Sequence, residues 1–98
     1  MAELSTEARE LDLYAENTAE LYGQFKSIIG NLTKRIDRGT YDAALAPKLW
    51  RYWYDAAARG YAREHGWHAR PEVRQECADA RAVEEFEKIT DGEYVPIA

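Results

Sequence analysis

The sequence is poor in cysteine, proline and methionine, and it has no long apolar run. It contains 1 cysteine, 3 prolines and 1 methionine in 98 residues. A single cysteine excludes an internal disulfide framework and is typical of a reducing compartment. No apolar run approaches the ~18–20 residues that a membrane-spanning helix needs. The acidic start MAELSTEARE lacks the features of a signal peptide. We therefore expect a protein of the bacterial cytoplasm that does not associate with membranes.

Patterns that carry catalysis or bind metals are also missing. No glycine-rich phosphate loop of the form GxGxxG or GxxxxGK[ST] occurs, and the serines do not lie in a nucleophile-elbow pattern. Cys77, Glu64, His65 and His68 do not have the spacing of a zinc finger or ribbon. Cys77 lies on an apolar stripe, which favours a buried packing role. We predict a protein that is not an enzyme and holds no cofactor or metal.

Apolar residues are abundant enough for one small folded domain covering residues 1–98. They make up 46% of the chain, and aromatic residues make up 12%. Apolar residues recur at steps of three and four along three stretches, which is typical of amphipathic helices. The first stretch covers about 6–38, and a capping-box pattern at 17–20 leaves open whether it is one helix or two. Gly23 and Gly30 lie within it, where we expect a neighbouring helix to approach closely.

The second stretch, about 42–65, carries Trp50 and Trp53 and is predicted to be the central helix. Asp42 is a candidate N-cap, and Pro47 is tolerated early in a helix that starts near 45 or 46. The predicted buried positions are Leu45 or Ala46, Leu49, Trp50, Trp53, Ala57, and Gly60 or Tyr61.

The third stretch, about 71–90, is predicted to be a helix that begins at Pro71, and 91–98 is predicted to be a tail. Its predicted stripe is Val73, Cys77, Ala80, Val83, Phe86 and Ile89. The fold class predicted from the three stretches is a compact all-α bundle. It has three helices, or four if the first stretch splits, around the tryptophan-rich central helix.

The net charge of −5 is distributed unevenly along the chain. Residues 1–22 and 71–98 are acidic, whereas 23–70 are basic. Basic and aromatic side chains alternate on the predicted central helix, at steps that could bring most of them to one exposed face. One interpretation is a solvated face neutralised by acidic neighbours, and the other is a binding face. The candidate partner-binding residues are Lys48, Arg51, Tyr52, Tyr54, Arg59 and Arg63.

Several segments resemble a group of small, functionally uncharacterised proteins encoded by bacteriophages and prophages. The segments are LDLYAENTAELY (11–22), IIGNLTKR (28–35), GTYDAALAPKLWRYWYDAAARGYAREHG (39–66) and, more loosely, PEVRQECADA (71–80). The resemblance implies a helical, virus-derived protein that acts in an infected bacterium. It supplies no catalytic residues.

Two functions follow as expectations. The first is a non-enzymatic phage accessory protein that binds a host or phage protein and inhibits a bacterial nucleic-acid-handling or defence complex. The alternative is an accessory protein that binds nucleic acid through the basic face of the central helix. Self-association into a homodimer is a further expectation, because small aromatic-rich helical domains often pair.

Overall fold

The computed structural model describes residues 3–92, which form four α-helices and no strand. The helices are α1 (Thr6–Asn17), α2 (Tyr22–Asp37), α3 (Ala46–His65) and α4 (Pro71–Thr90). The all-α prediction is confirmed, in its four-helix form. None of the four helices is both long and apolar enough to cross a lipid bilayer. Most of the predicted tail, residues 93–98, lies outside the described residues.

The first predicted stretch splits at Thr18, whose backbone is extended at φ −98° and ψ 108°. The Thr18 hydroxyl donates to the carbonyl of Tyr14 at 2.6 Å, which draws the side chain back onto α1. Thr18 therefore makes no capping bond to the 3-10 turn Ala19–Leu21 that follows it. The chain breaks where the sequence left the alternative open, although no capping box forms.

Ser5 begins α1 as its N-cap and also ties it to α4. The Ser5 hydroxyl accepts a hydrogen bond from the Ala8 N–H at 3.3 Å. Its own hydroxyl and N–H donate to the Glu76 carboxylate at 2.9 and 2.7 Å. The cap thus satisfies one free N–H of the helix and fixes where α1 starts against α4.

Helix α3 begins at Ala46, at one of the two starts expected from the position of Pro47 and three residues later than a helix capped by Asp42 and starting at Ala43 would. The Asp42 carboxylate accepts from the Ala44 N–H at 2.8 Å and so closes a turn ahead of the helix. Pro47 falls in the first turn of α3, where a missing N–H leaves no hydrogen bond unmade. Gly66 ends α3 with φ 71°, a left-handed conformation that favours glycine.

Helix α3 packs against each of the other helices and carries the centre of the core. Trp50 and Trp53 are 0% and 2% exposed, and both rings lie 5.3 Å from that of Phe25 on α2. The Trp53 indole N–H donates to the carbonyl of Leu21 at 2.9 Å, which holds the 3-10 turn to α3. The predicted burial of Ala46, Trp50, Trp53, Ala57 and Gly60 is confirmed; Leu49 and Tyr61 are half-buried.

The predicted close approach at two glycines of α2 is wrong. A Cβ atom added to Gly23 or Gly30 would meet nothing within 4 Å. The close contact lies instead on α3, where a Cβ on Gly60 would come within 2.7 Å of the Tyr14 hydroxyl oxygen. Tyr14 packs edge-on against Tyr61, with ring centroids 5.2 Å apart, so α1 and α3 meet through aromatic rings at this point.

Candidate functional site

Four of the six candidate partner-binding residues lie together on the exposed side of α3. Lys48, Tyr52, Arg59 and Arg63 are all exposed, and at 3.6 residues per turn they fall within an arc of about 60° and about 22 Å along the axis. Tyr52 is 67% exposed. We call these four residues the α3 face. Its three cations make no ion pair with any residue in the range 3–92.

Arg51 lies at the edge of this face and is engaged within the fold. Its Nε donates to Asp55 Oδ1 at 2.9 Å, and its Nη1 donates to Gln75 Oε1 on α4 at 2.7 Å. The side chain is 27% exposed. Arg51 therefore joins α3 to α4 and is less available to a partner than the four residues of the α3 face.

Tyr54 does not lie on the surface, so its prediction as an exposed partner-binding residue is wrong. It is 0% exposed, and its ring packs against Trp53 with centroids 5.1 Å apart. Its hydroxyl donates to the Asp12 carboxylate on α1. Burial raises the pKa of Tyr54 well above its ordinary value, so the phenol stays protonated. The reason for the error is geometric, because Tyr54 lies on the far side of α3 from Tyr52.

A basic groove runs along the flank of the α3 face on which Arg51 lies, between α3 and the start of α4. Its volume is about 460 Å³. The residues that line it are Asp55, Ala58, Arg59, Ala62, Arg63, His68, Ala69 and Arg74. We call it the arginine groove, because three of the four basic side chains that line it are arginines. Among the described residues, one carboxylate lines it.

The single carboxylate of the arginine groove is already engaged by two arginines. Asp55 Oδ1 accepts from Arg51 Nε and from Arg74 Nη1, each at 2.9 Å. Arg59 and Arg63 have no such partner among the described residues. The Nε–H of Arg74 is enclosed and makes no hydrogen bond within that part of the chain. The groove therefore carries more positive charge than its own acid neutralises.

A second cluster of charges is buried between α1, α3 and α4, and Arg81 is its centre. Arg81 is 2% exposed. It pairs with Asp12 at 2.7 Å and Glu85 at 3.1 Å, and it donates to the Tyr54 hydroxyl at 3.0 Å. Glu84 and Glu16 complete the cluster at 3.3 and 3.5 Å. We call these six residues the Arg81 cluster.

The protonation of the Arg81 cluster follows from its burial and its mutual charges. Burial, followed by the charge of Asp12, raises the pKa of Glu16. Burial would lower the pKa of Arg81, but Tyr54 and Asp12 outweigh it and raise that pKa. An arginine donates hydrogen bonds and does not exchange protons near neutral pH. The arrangement is suited to holding three helices together and not to acid–base catalysis by Arg81.

Cys77 is buried, as predicted. It is 1% exposed, and its thiol donates to the carbonyl of Ala8 at 3.2 Å. Burial, followed by the charge of Asp12, raises the pKa of the thiol to about 12. The His65 ring packs against the Tyr61 ring, with ring centroids 4.5 Å apart. Residues 3–92 contain no group of three or more histidine, cysteine or acidic side chains that could hold a metal ion.

Comparison of the chain with protein-family models, with curated proteins and with solved structures finds no match. Its resemblance to phage-encoded proteins accordingly stays a prediction. The candidate sites rest on the geometry of this chain alone.

The sequence reasoning missed the Arg81 cluster and the arginine groove. The groove joins α3 to a connector and to α4, and no pattern within one helix shows such a contact. The cluster did leave a signal, because Cys77, Arg81 and Glu85 are spaced by four residues and so share one face of α4. Because Cys77 was predicted to be buried, Arg81 and Glu85 on the same face of α4 are expected to face inward and to pair with each other.

Proposed function

We propose that this protein is a non-enzymatic binding protein that uses the α3 face to contact an acidic surface of another protein. The observation that carries the proposal is the alignment of Lys48, Tyr52, Arg59 and Arg63 on one exposed side of a rigid helix. Exposed tyrosine and arginine side chains on one surface are typical of the centre of a protein interface. Charge complementarity then selects an acidic partner.

The resemblance to phage proteins is the basis for proposing where the partner is found. It favours a partner that is a host or phage protein in the bacterial cytoplasm. We propose that this partner belongs to a nucleic-acid-handling or defence complex and that binding inhibits the complex. We also propose that the protein self-associates into a homodimer, and light scattering of the purified chain tests it.

A second candidate function is binding to a nucleic acid. The observation that favours it is the row of three cations along about 22 Å of α3, a spacing that a phosphate backbone could follow. The net charge of −5 counts against it, and so do the exposed acids Glu72, Asp79 and Glu87 on α4. We therefore rank it second.

The test compares three forms of the protein as baits in lysate from infected bacteria. One is the native chain, and the second carries Tyr52→Ala, Arg59→Glu and Arg63→Glu. The third carries Lys34→Glu and Arg38→Glu, which reverse two charges at the end of α2, on a different helix from the α3 face. Quantitative mass spectrometry identifies proteins lost with the second bait and kept with the third. Each such protein is then purified, and its affinity is measured with all three.

The expected result is an acidic protein whose affinity falls at least about a hundredfold with the α3 variant, which corresponds to the loss of one or two interface hot spots. Circular dichroism must show that the variant keeps its helices. If every partner binds all three baits with equal affinity, the α3 face is not the interface and the proposal is wrong.

A further inference from the structure

We propose that the arginine groove is a binding site for the phosphate group of a small phosphorylated molecule, up to the size of a nucleoside monophosphate. The proposal does not depend on the protein partner proposed above. Lys48 and Tyr52 do not line the groove, although Arg59 and Arg63 belong to both surfaces.

The charge of the groove favours an anion. Arg59, Arg63 and Arg74 lie along its walls with His68, and Asp55 is the only acid among the described residues that line it. The carboxylate oxygen of Asp55 that faces Arg74 is shared with Arg51, so one negative charge serves two guanidinium groups. Arg59 and Arg63 remain without an ion pair inside the described chain. A phosphate dianion would supply the missing negative charge.

The hydrogen-bonding groups of the groove favour a phosphate over a simple halide. Arg74 uses Nη1 to hold Asp55, while its Nε–H is enclosed without an acceptor. An enclosed N–H without a partner is unusual in folded proteins. Arginine binds tetrahedral oxyanions through two parallel N–H groups, and a phosphate offers several oxygens at the required spacing.

The size and position of the groove fit a small molecule. Its volume of about 460 Å³ lies within the range of about 300–1,000 Å³ that is typical of small-molecule sites. Ala58, Ala62 and Ala69 line it with small apolar surface, which leaves room beside the arginines for a flat group. The groove borders the N-terminus of α4, a helix of 20 residues whose dipole adds positive potential there.

The binding test uses the full chain labelled with ¹⁵N and is followed by NMR, including the arginine Nε–H signals. The probes are inorganic phosphate, adenosine monophosphate and adenosine, each titrated at constant ionic strength. We expect saturable shifts at Arg74 and at 58–63 with the first two probes and none with adenosine. We expect the nucleotide to bind more tightly than inorganic phosphate, because its sugar and base contact the alanine surface.

Charge-neutral variants locate the site. Arg63→Gln and Arg74→Gln should each weaken adenosine monophosphate binding by at least about tenfold, as expected for the loss of a hydrogen bond to a charged group. Arg63→Gln is the safer variant, because Arg63 is exposed and holds no other element in place. The matched control is Lys48→Gln, which removes one charge from the α3 face outside the groove and should leave the affinity unchanged.

Three results would overturn the proposal. The first is the absence of saturable shifts with phosphate and nucleotide. If a single-stranded DNA 12-mer, titrated in the same way, binds while these two probes do not, the result favours the nucleic-acid function instead. The second is equal weakening by Lys48→Gln and Arg63→Gln, which would indicate non-specific attraction. The third is equal binding of adenosine and its monophosphate. None of these results bears on Tyr52, so the proposed protein interface would remain open to its own test.

Discussion

Arg81 lies at a position of α4 that faces the core, where an unpaired charge would be very unfavourable. Its partners come from two other helices, Asp12 from α1 and Tyr54 from α3. Removing the cation would leave Asp12 buried beside Glu85 and Glu16 with no positive charge at the centre of the cluster. Breaking a buried ion pair from one side is far more destabilising than the pair itself is stabilising.

We therefore expect Arg81→Met to lower the free energy of unfolding by about 3–5 kcal/mol. Urea denaturation followed by circular dichroism measures it. Arg38→Met is the matched control: Arg38 is exposed and makes no ion pair within residues 3–92, so a change of less than about 0.5 kcal/mol is expected. A loss of under 1 kcal/mol for Arg81→Met would mean that water or a rearranged Lys88 compensates for the missing charge.

The chemistry of Cys77 gives a second prediction at the scale of one residue. The thiolate is the reactive form, and the pKa of about 12 means that very little thiolate exists at pH 8. We expect its reaction with a disulfide reagent at pH 8 to be on the order of a thousandfold slower than in the urea-unfolded chain. Absorbance of the released thiol measures both rates. Rapid, complete labelling of the folded protein would show that Cys77 is accessible and not a packing residue.

At the scale of the helix, the two kinds of glycine on α2 and α3 are expected to respond in opposite directions to the same substitution. Gly30→Ala places a methyl group in open space and should stabilise the protein by about 0.5–1 kcal/mol through helix propensity. Gly60→Ala drives a methyl group to 2.7 Å from the Tyr14 hydroxyl oxygen, and we expect a loss of about 1–3 kcal/mol. Thermal and urea unfolding of both variants measure this difference. Gly23→Ala is a second example of the kind of substitution made in Gly30→Ala.

An equal stabilisation by Gly30→Ala and Gly60→Ala would contradict this contrast. It would mean that the Tyr14 ring moves aside freely and that α1 does not approach α3 as closely as the structure shows. The double variant Gly60→Ala with Tyr14→Leu separates the two effects, because it removes the hydroxyl that the new methyl group would meet. It should recover part of the stability lost by Gly60→Ala alone.

Four of the helix ends can be predicted from the sequence, because the side chains that set them act locally. Ser5 caps α1, Pro71 begins α4, and glycines with positive φ follow α2 and α3. The inward face of α4 was not predictable in the same way. The predicted stripe from Cys77 to Ile89 advances in steps of three, and each such step turns about 60° short of a full turn. By Val83 and Phe86 the stripe has rotated into solvent, where those residues are 62% and 37% exposed.

The start of α3 and the candidate residues of the α3 face show a further limit of reading one sequence. Asp42 has the residue type of an N-cap, yet it closes a separate turn, and α3 starts at Ala46, one of the starts that the position of Pro47 allowed. That the α3 face groups four side chains on one side of the helix could be predicted, because helical spacing alone determines it. The four are Lys48, Tyr52, Arg59 and Arg63. The burial of Tyr54 could not be predicted, because it depends on Asp12 and Arg81 from distant parts of the chain.

At the scale of the whole molecule, the basic α3 face and a row of exposed acids lie on different helices. The α3 face is basic, while the exposed acids Glu72, Asp79 and Glu87 lie on α4. The net charge of −5 repels a polyanion at long range, whereas the α3 face attracts an acidic surface at short range. The two proposed functions therefore differ in how binding should respond to salt.

A salt titration against generic DNA and RNA duplexes makes that difference measurable by fluorescence anisotropy. We expect no saturable binding at about 0.15 M salt, where the Debye length is about 8 Å and the attraction of a few cations is largely screened. The nucleic-acid function predicts instead an affinity that falls with log salt at a slope of about −2.7, the value for three phosphate contacts on duplex DNA. Reversing Arg59 and Arg63 would reduce that slope by about two thirds. Such a slope and such a reduction would establish that Arg59 and Arg63 contact phosphates of a nucleic acid, and the protein-binding proposal would then give way to the nucleic-acid one.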